Sequence, residues 1–462
     1  MSKSYEINFT KGAMIKPLLL FALPLMLSGM LQLFYNAADI IVVGRFAGKE
    51  SLAAVGATGA LINLLTNAFL GLSVGANVLI SKGFGMGDRD LLDRAVHTAV
   101  SVSLIGGVIF GAIGFVFAEP ILHLMETPDE VISKSAIYMR IYFAGLPAMA
   151  LYNFGAAILR AVGDTKRPLA FLIISGFINI ALNLVFVIAF KMDVAGVAYA
   201  TVISQICSAA LIVWCLVKTD GAYKLNLKRL RVCKRELGQI LKIGLPAGVQ
   251  GTLFSLSNVL IQSSINSFGA VAVAGNSAGS NLEGFVYIAM NSVHHTALTF
   301  FAQNLSVENY PRIKKGFYCC IALVSCIGLV LGNLVVLFSH RLVAIYSPEP
   351  EVIRIGAERI LVICSVYFIC GIMDTLAGVI RGLSYSVLPM VITLIGACGF
   401  RVLWIYIIFA FKRSLFMLYL AYPVSWLLTA AALFAAYRVI IKKLTKGKPE
   451  KHESDNLLCE YI

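Results

Sequence analysis

The chain has 462 residues, 59% of them hydrophobic and 13% charged, with a mean hydropathy of +0.85. A soluble chain carries about 25% charged residues, so a cytosolic enzyme, a secreted disulfide scaffold and a disordered polypeptide are excluded. The formal charge of +14 would point to nucleic acid in a soluble protein; in a polytopic membrane protein it records topology, because Lys and Arg collect in cytoplasmic loops.

Charge clusters and Gly/Pro breaks divide the chain into twelve apolar spans, near residues 15–43, 53–80, 95–118, 132–159, 168–190, 194–217, 243–267, 271–301, 316–339, 352–380, 388–411 and 415–441. At about 20 apolar residues per crossing, each is long enough to span a bilayer, and several have length to spare for tilt. The predicted fold class is an all-α membrane protein of twelve transmembrane helices in two six-helix lobes. The first span is too long for the apolar core of a cleavable signal. Pro24 within it, like Pro246 within the seventh, removes one backbone hydrogen bond, and a bend there would help to shape a cleft.

A carboxylate at membrane depth is costly unless it is paired, protonated or facing water, so each one is a functional candidate. Asp39 lies six residues before Arg45, about 9 Å along a helix axis, in the outer half of the first span. Tyr35 and Asn36, at i−4 and i−3, are expected on the same face. Asn179 and Asn183 in the fifth span are four apart and share a face. A carboxylate with amide oxygens around it can hold Na+ through hard oxygen ligands, or can carry a proton. Asp39 is therefore the expected cation-coupling group, with Tyr35, Asn36, Asn179 and Asn183 around it. The alternative is an aspartate buried for packing.

In the second half Glu283 and Asp374 are expected to face the cavity, and Arg401 to neutralise one of them, since unpaired it would be expensive. His294 and His295 are adjacent and so point to different helix faces. Arg160 and Arg381, at the ends of the fourth and tenth spans, fit stabilisation of the helix dipole. The ten Cys form no Cys-x-x-Cys pair and read as small apolar fillers. The end Cys459-Glu460-Tyr461-Ile462 fits a prenylation box only formally, because Glu460 is not aliphatic.

Basic residues set the orientation. The N-terminus, alternate connectors and C-terminal tail hold 27 Lys and Arg, the opposite set holds 8, and Arg140, Arg359 and Arg401 lie within spans. That places both termini in the cytoplasm. The connector 218–242 carries eight of these residues and is expected to lie on anionic lipid rather than nucleic acid. The two halves repeat: Pro24, Gly29 and Asn36 return as Pro246, Gly251 and Asn258 at a shift of 222, and Arg160 with Pro168 returns as Arg381 with Pro389 at 221. Six spans separate the copies, so both enter from the same side, as parallel repeats about the membrane normal. The expected organisation is a lobe over 1–217, a basic connector over 218–242, a second lobe over 243–441 and a basic tail over 442–462. Asp39 corresponds to Ile261, and Asn179 and Asn183 to Phe400 and Trp404, so the polar cluster belongs to the first lobe alone.

The runs Tyr35-Asn36-Ala37-Ala38-Asp39, Val43-Gly44-Arg45-Phe46, Leu52-Ala53-Ala54-Val55-Gly56, Leu159-Arg160-Ala161-Val162-Gly163-Asp164 and Asn179-Ile180-Ala181-Leu182-Asn183, with the echo Ile380-Arg381-Gly382-Leu383, resemble the multidrug and toxic compound extrusion transporters of prokaryotes. The resemblance implies two lobes rocking about a central cavity, and export of organic cations or amphiphiles in exchange for Na+ or protons. It also implies a multi-pass protein of the cell membrane with no cofactor beyond the coupling ion. A monomer is expected. Related prokaryotic transporters often carry Asp at the position of Asn183, so a relay between two acids loses one member here.

Three other readings are weaker. A major facilitator needs Gly-x-x-x-Asp-Arg after its second helix, whereas Phe84 stands four before Asp88. A lipid-linked oligosaccharide flippase of related fold calls for a basic cavity, and the intramembrane charges are balanced. An enzyme lacks a His-Glu-x-x-His or Gly-x-Ser-x-Gly motif, and no P-loop marks ATP as the energy source.

Overall fold

The computed structural model describes residues 5–125 and 127–446, with only the backbone at 49, 52 and 60. Most of the expected tail, including Cys459, lies outside the described residues. Within them the secondary structure is helical, without strands. Twelve helical units follow in chain order: α1 Ile15–Ala47, α2 Lys49–Met86, α3 Arg89–Leu124, α4 Asp129–Ala144 with Leu146–Ala161, α5 Lys166–Ala189 and α6 Asp193–Lys218. Then come α7 Lys234–Asn266, α8 Ala270–Ser306, α9 Tyr310–Leu337, α10 Pro350–Cys364 with Phe368–Gly382, α11 Val387–Phe409 and α12 Leu415–Thr445. Each expected span coincides with one unit, four of them overrunning its end by one or two residues. The boundary that moves furthest is the start of α7, at Lys234, so the last third of the basic connector is helical.

Ten of the twelve units are long and apolar enough to cross a membrane, counting the bent pairs in α4 and α10 as one each. The other two, α7 and α8, carry the polar side chains that line the contact between lobes, where protein rather than lipid surrounds them.

The repeat is written in the backbone as well as in the sequence. Left-handed residues recur at a shift of 221: Gly48 and Gly269 before α2 and α8, Gly87 and Glu308 after them, and Gly163 and Ser384 after α4 and α10. The bends in α4 and α10 are 46° and 49°. Pro168 and Pro389 each stand third in their helix, where a missing N–H has no intrahelical partner to lose. Pro24 and Pro246 sit inside helices that run on through them.

Each lobe has its own apolar core, one around Phe143, Phe154 and Ile158, the other around Phe300, Ile360 and Ile380. Between them α2 meets α7 backbone to backbone. A Cβ at Gly71 would collide with Gly248, and one at Gly75 with Ile240; such small-xxx-small faces let membrane helices approach closely. Val74, Val78, Ile243, Ala247, Leu298 and Ala302 form a small apolar core inside this contact.

At the face carrying both described ends, polar bonds close the lobes together. Thr299 donates to Asn77 Oδ1 at 3.2 Å, and Gln303 donates to the Ala161 carbonyl at 2.9 Å. The segment before α1 threads between the lobes. Phe9 N donates to Gln303 Oε1 at 2.9 Å, Asn304 and Arg312 donate to the Phe9 carbonyl, and Arg312 also reaches the Lys11 and Gly12 carbonyls. Tyr223 donates to Glu6 Oε1 at 3.1 Å; burial pushes its hydroxyl pKa up, which keeps it a donor. Further along α2 and α7 the last polar contact between lobes among the described residues is Asn67 Nδ2 to Ser255 Oγ at 3.4 Å. One turn on, Asn258 continues the same stripe of α7 and is exposed. On α1 the matching stripe runs from Gly29, against Ile288, through Leu33, near Gly284, to an exposed Asn36.

Candidate functional site

Asp39 lies on α1 just before its last turns, where Val43–Ala47 widen to the i→i+5 pattern. Asn183 lies on α5 immediately before a second wide stretch, Leu184–Ala189. Such bulges loosen the backbone ladder and recur at functional sites. The Asn183 Nδ2 donates to Asp39 Oδ1 at 2.5 Å and reaches Asn179 Oδ1 at 3.3 Å. Asn179 Nδ2 points to Thr201 Oγ1 on α6 at 3.5 Å, which sets the Thr201 hydroxyl near the Asp39 carboxyl. Three helices of one lobe thus converge on a single acid.

Both amide contacts of Asn183 run through its nitrogen, which fixes the flip of the amide. Its Oδ1 is then left buried without a partner. An orphaned amide oxygen beside a carboxylate, with Asn179 Oδ1 and Thr201 Oγ1 near it, is a set of hard oxygen donors of the kind a small cation takes. Among the described residues, no three His, Cys, Asp or Glu side chains form a metal cluster, so any cation here would rest on one carboxylate and neutral oxygens.

The expected neighbours divide. Asn179 and Asn183 join Asp39. Tyr35 lies flat against Gly176 of α5, where any side chain would enter its ring. Asn36 is exposed at the cleft, and no hydrogen bond among the described residues ties it to Asp39. An i−3 relation puts a residue on the same side of the helix but not in the same pocket. Thr201 was missed, since a lone threonine in an apolar span gives no signal of its own.

The second lobe corrects the expected pairing. Glu283 does not face a cavity: it is buried and receives both Nε and Nη2 of Arg359, at 2.8 and 2.7 Å. Arg359 also donates to Asn276 Oδ1 at 2.5 Å. Asp374 accepts from Asn291 at 2.8 Å and has His294 Nδ1 at 3.3 Å. The Nδ1 of His294 donates to the Asp374 carbonyl at 2.7 Å, while its Nε2 faces Arg381 Nη1 at 3.5 Å. A guanidinium can only donate, so Nε2 is the accepting nitrogen and the proton sits on Nδ1. Arg381, expected to stabilise a helix end, also donates to Gln250 of α7 at 2.5 Å. Arg160 does sit in the last turn of α4.

Arg401 therefore neutralises neither acid. It is wholly buried, and among the described residues no carboxylate pairs with it. Its partners are Ser425 Oγ at 3.0 Å and Asn258 Oδ1 at 3.4 Å, with the ring of Tyr422 4.4 Å from its guanidinium. These partners sit on other helices, 24 to 143 residues away, a distance that leaves no local spacing for a sequence to reveal.

The MatE family model matches residues 24–185 and again 246–407, an offset of 222 at both ends. A "Probable multidrug resistance protein YoeA" of Bacillus subtilis (strain 168) is 29% identical over 94% of this chain and 96% of its own length. An "FAD transporter" of Shewanella oneidensis is 23% identical, over 82% of this chain and 84% of its own length. The fold matches a structure described as the outward-facing conformation of a multidrug resistance MATE family transporter, with a TM-score of 0.90, 21% identity and coverage of 96% of this chain and all of that one. With two copies of the family's repeat across most of its length, the chain belongs to the MatE family of multidrug and toxic compound extrusion transporters.

Proposed function

We propose that this protein exports small organic compounds across the cell membrane by alternating access, driven by a cation that binds at Asp39. The observation that carries this reading is the one-sided cluster: Asp39 held by Asn183, with Asn183 Oδ1 unpartnered beside it. The equivalent site in the other lobe has Ile261 in place of the acid. A group needed by the fold alone has reason to occur in both copies; a coupling group has reason to occur in one.

The excess of Lys and Arg supports a cytoplasmic position for the face where both described ends lie. The cleft beyond Asn67 and Ser255 then opens outward. In this state a Na+ or a proton from outside takes Asp39, substrate leaves, and the lobes rock until the cytoplasmic bonds part. The cation can drive that change only through its different affinity for the two states. Basic residues along 218–242 lie against anionic lipid, and the working unit is the monomer. The names of the relatives support organic amphiphiles as substrates, and they differ enough among themselves to leave the compound to the cavity of this chain.

The test is efflux of a fluorescent organic cation in everted vesicles under an imposed Na+ or proton gradient. Wild type should extrude dye under one of the two gradients and Asp39→Asn under neither. Equal extrusion by Asp39→Asn would remove the coupling role from this residue.

A further inference from the structure

The lobe opposite Asp39 holds a buried positive charge that the transport cycle above does not use. Arg401 lies between two wide i→i+5 stretches of α11, Leu394–Gly399 and Ile405–Phe409, on the helix equivalent to the one that carries Asn183. Its guanidinium is fully buried. The Nε is bound by Ser425 at 3.0 Å, Nη1 has only the long 3.4 Å contact to Asn258, and Nη2 has no hydrogen-bond partner. Three aromatic rings surround it, with centroids at 4.4 Å (Tyr422), 5.2 Å (Phe254) and 5.9 Å (Trp426). The Trp426 Nε1 is a second buried donor without a partner. Faces of aromatic rings soften the cost of a buried cation but cannot accept the hydrogen bonds that Nη2 offers.

Access runs through Asn258. This residue follows Gly251 and Ser255 on the stripe of α7 that faces the first lobe, and it is exposed where the lobes part. The Asn258 oxygen is the acceptor of Nη1, so a carboxylate that took its place would meet both Nη1 and the unpartnered Nη2, the edge used in a two-pronged pair. From these positions we propose that the second lobe contains an anion subsite at Arg401, entered past Asn258, which takes the carboxylate of an aromatic compound, with Phe254, Tyr422 and Trp426 holding its ring. The two lobes then carry opposite buried charges, Asp39 for a cation and Arg401 for an anion, and neither has a counterpart in the other lobe, where Ile261 and Ile180 stand instead. The proposal deepens the transporter reading and rests on it only for access from the cleft.

Equilibrium binding of radiolabelled 1-naphthoate to the purified full chain in lipid nanodiscs tests it without any transport step. Wild type should bind saturably, and the isosteric cation 1-naphthylmethylammonium should not compete. Arg401→Gln should weaken binding about tenfold or more. Arg401→Lys, which keeps the charge without the fork, should weaken it by a smaller factor and serves if the Gln variant does not fold. Asp39→Asn should bind naphthoate as wild type does even where its efflux is lost, so a failed coupling assignment leaves this result intact. Absence of naphthoate binding to wild type would overturn the subsite. So would equal affinity in both Arg401 variants, or saturable binding of chloride alone.

Discussion

At the scale of single residues, what distinguishes the two lobes is how each buried charge is compensated. Glu283 and Arg359 satisfy each other through two short bonds, with Asn276 taking a third donor. Removing one partner of such a pair strands the other in a medium that cannot solvate it, at a cost of about 3–5 kcal/mol. Glu283→Gln should therefore lower the thermal melting point of the detergent-solubilised protein sharply, and a second change, Arg359→Met, should restore much of it. If Glu283→Gln melts like wild type but loses substrate binding, the pair is not structural. Asp39 has a looser setting, held through amide and hydroxyl groups with one oxygen of Asn183 left over. Asn183→Ala removes both the donor and that oxygen. It should raise the cation concentration for half-maximal efflux about tenfold, equivalent to roughly one hydrogen bond to a charged group, and leave melting nearly unchanged. An unaltered cation dependence would separate Asn183 from the site.

At the scale of helices, close approach decides the architecture. Gly71 and Gly75 on α2, and Gly244 and Gly248 on α7, let two backbones touch where any side chain would hold them apart. Gly71→Val should open the contact between α2 and α7 and cut efflux about tenfold or more while the chain still inserts, because the change acts between lobes rather than within either core. Undiminished efflux would mean that this contact is not part of the cycle. Both Gly-x-x-x-Gly patterns stand in the sequence but were not read from it; the twelve spans were, since their apolar lengths follow from bilayer thickness alone. Asn179 and Asn183 were legible too, since four residues make one helical turn. The start of α7 was not, because Lys234 and Arg235 read as loop by charge although they continue a helix into the aqueous phase. The pairings of Glu283, Asp374 and Arg401 were also hidden. They depend on which helices lie side by side, and helix periodicity places a residue on a face without saying what that face meets.

At the scale of the molecule, two copies of one six-helix unit share backbone turns and the Arg160/Arg381 pair at a shift of 221 residues, but not the charges of Asp39, Glu283, Arg359 and Arg401. The shared turns explain why the lobes pack alike, and the unshared charges are what the proposed cation and anion sites rest on. The contacts from Asn67 and Ser255 to Gln303 and Phe9 hold one face shut. A Cys pair at Asn67 and Ser255 in a Cys-free background should, once oxidised, stop efflux, and reduction should restore it. Efflux that survives the cross-link would exclude separation of the lobes at this point. The central claim is that a cation at Asp39 moves the lobes. It is tested most directly by spin labels at Phe46→Cys and Ser267→Cys, beside the turns that open α2 and α8, with the distance between them measured with and without the coupling ion. The account predicts that the ion shortens this distance in the otherwise wild-type chain and leaves it unchanged when Asp39→Asn is added. The same shortening in both would contradict it.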